Sequence, residues 1–392
     1  MRSGERLPWG ALLALSASGF LAIFTETIPA GLLPELSRGF GISESAAGQL
    51  VTLYAVGSVA AAIPLVAATQ AMSRKSVLLG AVATLGVFNL VTAVAPWYWA
   101  VLVARFIAGA AAALVWGVLA GYARGLVTPT LQGRALAVTG LGQPIALAGG
   151  VPLGSFAASV MPWQWVFVVI SMAAAGLAVW IAFAVPNVAG ARREGRVLLR
   201  QVVALPGVGV ILAVTGCWIL AHNMLYTYAA PLLGRTSVRL DVGLAVFGVA
   251  SMIGISLVGM VIDRALRIVT LTCLAVMCLA TSVWLLPHVE VLLAVVAVIA
   301  WGLSFGGAPV LLQTALADRA GQHTDSAQSV FVTVFNLAVA GGGFLGGVLL
   351  PVNGPIAIAG AAVTLCVVAA AVVVLVHRAF PPGRRHEGVP AT

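Results

Sequence analysis

Runs of about 20 apolar residues, each long enough to cross the ~30 Å hydrocarbon core of a bilayer as a helix, recur from one end of the chain to the other. Only short polar punctuation separates them. Few folds are open to such a chain. Inside lipid every backbone N–H and C=O must be satisfied within the protein, and a helix does this within its own segment. The runs fall at 9–33, 46–69, 77–94, 97–121, 134–159, 163–185, 207–233, 242–262, 268–286, 291–316, 327–350 and 356–376, twelve in all. Charged residues make up 8% of the chain, against about a quarter in a protein whose surface faces water. The expectation is an all-α membrane protein of twelve transmembrane helices. Pro29, Pro64, Pro144, Pro152, Pro231 and Pro309 lie inside or at the ends of runs and should kink helices, while neighbouring helices take up the freed backbone groups. The first run is too long for the core of a signal peptide and contains Glu26, so it reads as an uncleaved helix.

The charges carry the topology. Of the 20 Lys and Arg residues, sixteen sit in the termini and the loops on one side of an even-numbered arrangement; Arg38, Arg235 and Arg239 sit on the other, and Arg105 lies within a run. The positive-inside bias then places both termini in the cytoplasm of a bacterial inner membrane. Trp97, Tyr98, Trp99, Trp163 and Trp165 fall at outer ends, where an aromatic belt belongs. The net charge of +9 is spread over short loops and forms no groove-sized patch, which argues against nucleic acid. Cys217, Cys273, Cys278 and Cys366 all lie in apolar runs without CxxC or Cys/His spacing, and no metal is expected.

A basic stretch, 186–205, falls near the midpoint. The halves on either side echo each other. Tyr122-Ala-Arg124-Gly125 resembles Asp318-Arg319-Ala-Gly321, and Gly149-Gly150 resembles Gly346-Gly347, at offsets of 196–197. Parallel repeats of six helices are the expected arrangement: two pseudo-symmetric six-helix bundles at 1–185 and 206–377, a cytoplasmic linker at 186–205 and a cytoplasmic tail at 378–392.

A charge inside the bilayer costs at least a few kcal/mol and needs a reason. Glu26 lies eight residues before Pro34, and Arg105 nine residues after Pro96, so both sit about 12–14 Å below the outer surface. Burial and a nearby cation act on a carboxyl group in opposite senses, and a Glu balanced between them can gain and lose a proton as water access changes. A static pair bracing the two helices is the other reading. In the seventh run His222, Asn223, Tyr226 and Tyr228 correspond to the Glu26 region. Asn223, Tyr226, Gln313, Asn336, Tyr54 and Trp116 are candidate substrate-cavity residues; Asn89 is a further polar candidate, hydrogen bonding between helices is the alternative for the polar ones, and a buried core role is the other reading of Tyr54 and Trp116. Gly150-x-x-x-Gly154, Gly342-x-x-x-Gly346 and Gly343-x-x-x-Gly347 allow close helix approach, either static or at a moving interface.

Four stretches carry a resemblance to a known family. They are Thr25-Glu26-Thr27-Ile28-Pro29-Ala30-Gly31-Leu32-Leu33-Pro34; Leu102-Val103-Ala104-Arg105-Phe106 with Gly109; Gly142-Gln143-Pro144 with Gly149-Gly150-Val151-Pro152-Leu153-Gly154; and Trp301-Gly302 with Gln313 and Asn336. The chain resembles the drug:proton antiporter branch of the major facilitator superfamily, most of all its bacterial sugar, nucleoside and chloramphenicol exporters. The resemblance implies a role in proton transfer for Arg105. It also implies an export-associated antiporter motif over Gly142, Pro144, Gly149, Gly150, Pro152 and Gly154. The family's gating loop after the second helix reads G-x-x-x-D-R-x-G-R-R. Here that loop keeps only Arg74 and Lys75, and the better copy is Gly259-x-x-x-Asp263-Arg264-x-x-Arg267 after the eighth. The family's G-W-R before the sixth helix is Pro162-Trp163-Gln164 here, so its Arg is also missing.

The expected function is proton-coupled efflux of a small organic molecule such as a drug, sugar or nucleoside by alternating access, with Glu26 and Arg105 as the coupling pair. The expected partners are substrate, protons and lipid, the proton gradient is the energy source without a cofactor, and the state is monomeric. An uptake symporter shares the fold. An ATP-driven pump would need a GxxxxGK[ST] loop, which the sequence lacks, and an intramembrane enzyme would need a catalytic set that His222 alone does not make.

Overall fold

A computed structural model describes residues 7–62, 64–190, 202–377 and 379–380. The arginines of the linker at 191–201 and nearly all of the tail lie outside the described residues. Among those described, every regular element is helical. Ten helical stretches are long and apolar enough to span a membrane, and two of them are each two spans joined end to end. The helix Leu240–Ser282 leaves helical geometry at Ala265, and Thr324–Leu375 does so at Asn353 and Gly354. A break at each of these points returns the twelve spans read from hydropathy.

In chain order the spans are 1 (Trp9–Gly31), 2 (Glu44–Ala62, continued by Pro64–Ala68), 3 (Arg74–Val94), 4 (Tyr98–Gly125), 5 (Pro129–Val160), 6 (Gln164–Ala184), 7 (Val208–Thr227, continued by Ala229–Leu233), 8 (240–264), 9 (266–282), 10 (Val291–Ala320), 11 (324–352) and 12 (355–375). With an even number of spans, both ends of the chain lie on one face of the molecule, the terminal face; the opposite face is the far face.

Spans 1 and 7 bend where proline and its consequences dictate. Pro29 has no N–H for the carbonyl of Thr25, and span 1 ends two residues later at Gly31, followed by Leu32, whose φ and ψ of −117° and 14° are not helical. Span 7 ends in the same way at Tyr228, with φ −109° and ψ 32°, shortly before Pro231. Span 5 contains a π-helical turn at Ala146–Gly150, immediately before Pro152, where a missing N–H again frees a carbonyl.

The two bundles are built on the same glycine pairs. A Cβ on Gly57 or Gly109 would fall well inside 3.0 Å of the carbonyl oxygens of Phe106 and Tyr54, so spans 2 and 4 meet backbone to backbone. A Cβ on Gly254 or Gly306 would do the same to Leu303 and Ser251 in spans 8 and 10. Each of these four residues and each of its four contacts lies 197 positions from its counterpart. Only residues without a side chain allow helices this close, and the repeat is therefore physical as well as textual.

The bundles approach each other in the far half. Gly31 of span 1 packs against Leu244, Gly248 of span 8 against Ala148 in the π turn of span 5, and Gly343 and Gly347 of span 11 against Thr52 and Gln49 of span 2. At the far rim the guanidinium of Arg239 stands 5.9 Å over the ring of Phe156. On the terminal side a cleft of about 450 Å³ opens along span 10, lined by Val310, Gln313, Thr314, Ala317, Asp318 and Gln328. The close backbone contacts between the bundles thus lie toward the far face.

Candidate functional site

Glu26 and Arg105 are brought together, as the depth argument expected, but their contact runs through the backbone. Both side chains are buried, Glu26 to 8% exposure and Arg105 to 0%. The Nη2 of Arg105 donates to the carbonyl of Thr25 at 2.5 Å and to that of Glu26 at 3.3 Å; its Nε donates to Leu50 of span 2 at 3.4 Å. The Thr25 carbonyl is the one that Pro29 leaves without a helical donor. A guanidinium has five N–H donors in a planar fork and keeps its charge when buried, so it can replace that donor and tie span 1 to span 2 at the same time. The Glu26 carboxylate has no cation of a described residue within 4.0 Å.

The rest of the cluster closes around this arginine. Its guanidinium lies 4.7 Å from the ring centroid of Tyr54, whose hydroxyl donates to Ala22 at 2.9 Å. Asn89 of span 3 donates to the Thr25 hydroxyl at 3.1 Å and to Leu85 at 2.8 Å. Spans 2, 3 and 4 thus converge on one turn of span 1. Tyr54, expected in the substrate cavity, is fully buried in this conformation and belongs to the packing of the cluster. Trp116 is half-buried, with its ring 3.6 Å from where a Cβ on Gly19 of span 1 would lie.

The other bundle uses different chemistry at the equivalent level. His222 is buried, its Nδ1 accepts from Trp301 Nε1 at 3.2 Å, and its ring lies flat on Phe305 with centroids 3.3 Å apart. Phe247 and Tyr226 complete the stack, with Tyr226 buried and its hydroxyl unpartnered among the described residues. This aromatic cage was not legible as a unit, since Phe247 and Phe305 are ordinary apolar residues in the sequence. Asn223 and Asn336 are half-buried, and each gives an amide hydrogen to its own helix, to Ile219 and Val332 at 2.9 Å. Their carbonyl ends stay available for a ligand. Gln313 accepts from Gln328 at 3.0 Å and lines the open cleft.

The antiporter-motif residues divide by what they touch. Gly142 meets the backbone of span 1, where a Cβ would lie 2.7 Å from the Phe20 nitrogen; Gly150 and Gly154 face Phe20, Phe24 and Ile28 of the same span. Pro144 and Pro152 bracket the π turn between them. Gly149 has no neighbour within 4 Å. Gly142→Ala should therefore lower the melting temperature of the purified protein by several degrees, as overpacking by about 1–3 kcal/mol does. Gly149→Ala should leave it within a degree or two. Equal effects at both positions would show that close packing on span 1 is not what the motif's glycines provide.

Of the gating-loop residues, Arg74, Lys75 and Arg267 bond within their own half of the chain. The Arg74 backbone N–H donates to Val188 at 2.9 Å and Lys75 Nζ to Ala182 at 2.7 Å, with Tyr122 holding Pro186 at 2.7 Å. The described start of the linker is thereby strapped to the loop after span 2. Arg267 Nη2 reaches Val374 of span 12 at 3.1 Å, while Asp263 and Arg264 are exposed at the terminal face.

The family model described as Major Facilitator Superfamily matches residues 15–343. The transcription regulatory protein OpdE of Pseudomonas aeruginosa is 27% identical over 382 residues, covering 95% of both chains. A chloramphenicol efflux pump of Mycobacterium tuberculosis is 28% identical over 369 residues, and the purine ribonucleoside efflux pump NepI of Escherichia coli is 27% identical over 346, each covering 87% of both chains. Among solved structures, the nucleoside transporter NupG shares the fold with a TM-score of 0.74 at 12% identity, over 94% of this chain and 100% of that one.

Proposed function

Because the chain belongs to the major facilitator superfamily, and is thus a multi-pass membrane transporter, we propose that it exports a small organic molecule in exchange for protons by alternating access. The observation that carries this reading is Glu26: a carboxyl group buried at mid-bundle, on the turn that Arg105 ties to span 2, with no described cation within 4.0 Å of its carboxylate oxygens. A group placed so can take a proton when the far face opens and release it when the terminal face opens.

Sixteen basic residues against three support a terminal face in the cytoplasm of a bacterial inner membrane; with the bundles packed together toward the far face, the conformation is read as inward-facing, ready to receive a cytoplasmic cargo. Outward transport is supported by the relatives whose names are efflux pumps and by the glycine and proline motif of span 5 at the interface between bundles. Chloramphenicol and purine ribonucleosides, the cargoes named for those relatives, are uncharged and rich in hydrogen-bonding groups, which suits the amides of Asn223, Asn336 and Gln313. The transporter would work as a monomer, since each bundle completes the other within one chain.

The test is accumulation of chloramphenicol and of purine ribonucleosides in proteoliposomes under an imposed pH gradient. Wild-type protein should concentrate at least one of them when the gradient is set and not when it is collapsed. Glu26→Gln should lose at least ten-fold of the gradient-driven rate while keeping the wild-type melting temperature. Gradient-driven transport at the wild-type rate by Glu26→Gln would remove the carboxyl group from the mechanism.

A further inference from the structure

We propose that Tyr228 is the latch of the outer gate, a neutral hydrogen-bonded key that holds the far face shut. It stands where span 7 loses helical geometry, and its side chain is fully buried. Its hydroxyl donates to the Gly343 carbonyl of span 11 at 2.8 Å, with the Ser45 carbonyl of span 2, in the other bundle, at 3.3 Å. Gln49 completes the junction by donating to Gly343 at 3.3 Å and Ser45 at 3.2 Å, and the Ser45 hydroxyl donates to the Gly347 carbonyl.

The slot that receives the ring is made of absent side chains. A Cβ on Gly48 would collide with the Tyr228 hydroxyl, one on Gly347 would lie 2.7 Å from it, and one on Gly346 would lie 2.5 Å from the ring. Three glycines from two bundles therefore converge on one phenol. The bonds that cross between the bundles here use backbone carbonyls and neutral donors. The far-face latch thus differs in kind from the charged loops of the terminal face, where, among the described residues, the side chains of Lys75 and Arg267 reach carbonyls of their own bundles.

When the far face opens, spans 2 and 11 have to part at this point. The Tyr228 hydroxyl, which stays on the Gly343 carbonyl of its own bundle, then leaves the Ser45 carbonyl, and the ring leaves the Gly48 side of its slot. Each group it abandons is a carbonyl within a helix, which keeps its i+4 backbone donor. The latch can therefore release without stranding a charge or an unpaired backbone group, and its strength is set by one phenol, one amide and the Ser45 hydroxyl. Tyr228 is in this sense a positioning residue for transport, acting on the equilibrium between inward-open and outward-open states rather than on the cargo.

The inference rests on alternating access but needs neither the direction of transport nor the cargo. Pulsed dipolar spectroscopy on the full chain in nanodiscs tests it, in a background with the four native cysteines replaced. Spin labels at Ser43 and Val352 report the far face, and labels at Thr130 and Arg264 the terminal face. Tyr228→Phe should add a longer-distance population at the far face and a shorter one at the terminal face. Tyr226→Phe, which removes a hydroxyl from the same helix outside the latch, should leave both distributions as in wild type. Gly347→Phe, which fills the slot, should populate the outward-open state most strongly. Unchanged distributions in Tyr228→Phe, in protein that melts as wild type does, would overturn the latch; so would equal shifts in the two Tyr→Phe variants. If Gly347→Phe still opens the far face and closes the terminal one, alternating access stands and the latch alone has failed. If it moves neither pair, the rocking motion itself is refuted, and the latch with it.

Discussion

Arg105→Ala is expected to cost the protein several kcal/mol and to abolish transport, and a large part of that stability should return on adding Pro29→Ala. Arg105 serves the carbonyls of Thr25, Glu26 and Leu50 in a buried cluster. A buried acceptor deprived of its partner costs roughly 1–3 kcal/mol, and Thr25 has no other backbone donor because residue 29 is proline. An alanine at 29 supplies an N–H at the i+4 position and repairs span 1 from within. Two changes that add independently elsewhere should thus couple here by about 1 kcal/mol or more. Melting temperatures of wild type, both single variants and the double variant give the cycle. Strict additivity would mean that Arg105 is not substituting for the missing proline donor. Arg105→Lys should recover little, because one ammonium cannot span the Thr25 and Leu50 carbonyls as a planar fork does.

That cycle also shows how far sequence reasoning reaches. Counting residues from Pro34 and Pro96 put Glu26 and Arg105 at one depth, and the structure has them adjacent. Depth along the membrane normal carries no information on rotation about it, however, and so did not show that the arginine would choose backbone oxygens over the carboxylate. The signal was nevertheless present: a proline four residues after Thr25 frees that carbonyl in any helix. The spans were legible because lipid imposes a length and a polarity on each. Their short connections at 265 and 353–354 were legible from breaks in hydropathy although the backbone there departs from helix for only one or two residues. Tyr228, by contrast, read as one polar residue among four in span 7. Its partners are carbonyls of Ser45 and Gly343, and every residue has a carbonyl, so no pattern of side chains announces such a bond. The aromatic cage around His222 is hidden for a similar reason, since phenylalanines in a hydrophobic run look like lipid-facing bulk.

The glycines of spans 2, 4, 8 and 10 were the signal that could have been read and was not. Gly109 belongs to a family pattern, but the pairs Gly57 and Gly254, Gly109 and Gly306 also repeat at 197 residues. The structure shows what they are for. At Gly109 and Gly306 a methyl group would meet the backbone oxygens of Tyr54 and Ser251, and a backbone atom cannot swing aside as the end of a side chain can. Gly109→Ala should force spans 2 and 4 apart, displace Tyr54 from beneath Arg105, and destabilise by at least the 1–3 kcal/mol usual for overpacking. Gly306→Ala should do comparable damage in the other bundle, even though no ionisable residue of the coupling site lies there. Gly140→Ala and Gly259→Ala, whose Cβ atoms would meet nothing within 4 Å, should be neutral or stabilising by up to about 1 kcal/mol, as Gly→Ala in a helix is. Fluorescence-detected size exclusion and melting temperatures for the four variants separate the cases. Loss of folded protein in Gly109→Ala but not in Gly306→Ala would mean that the coupling cluster is fragile. Loss in both would mean that the symmetric backbone contact holds each bundle together, which is what the shared geometry requires.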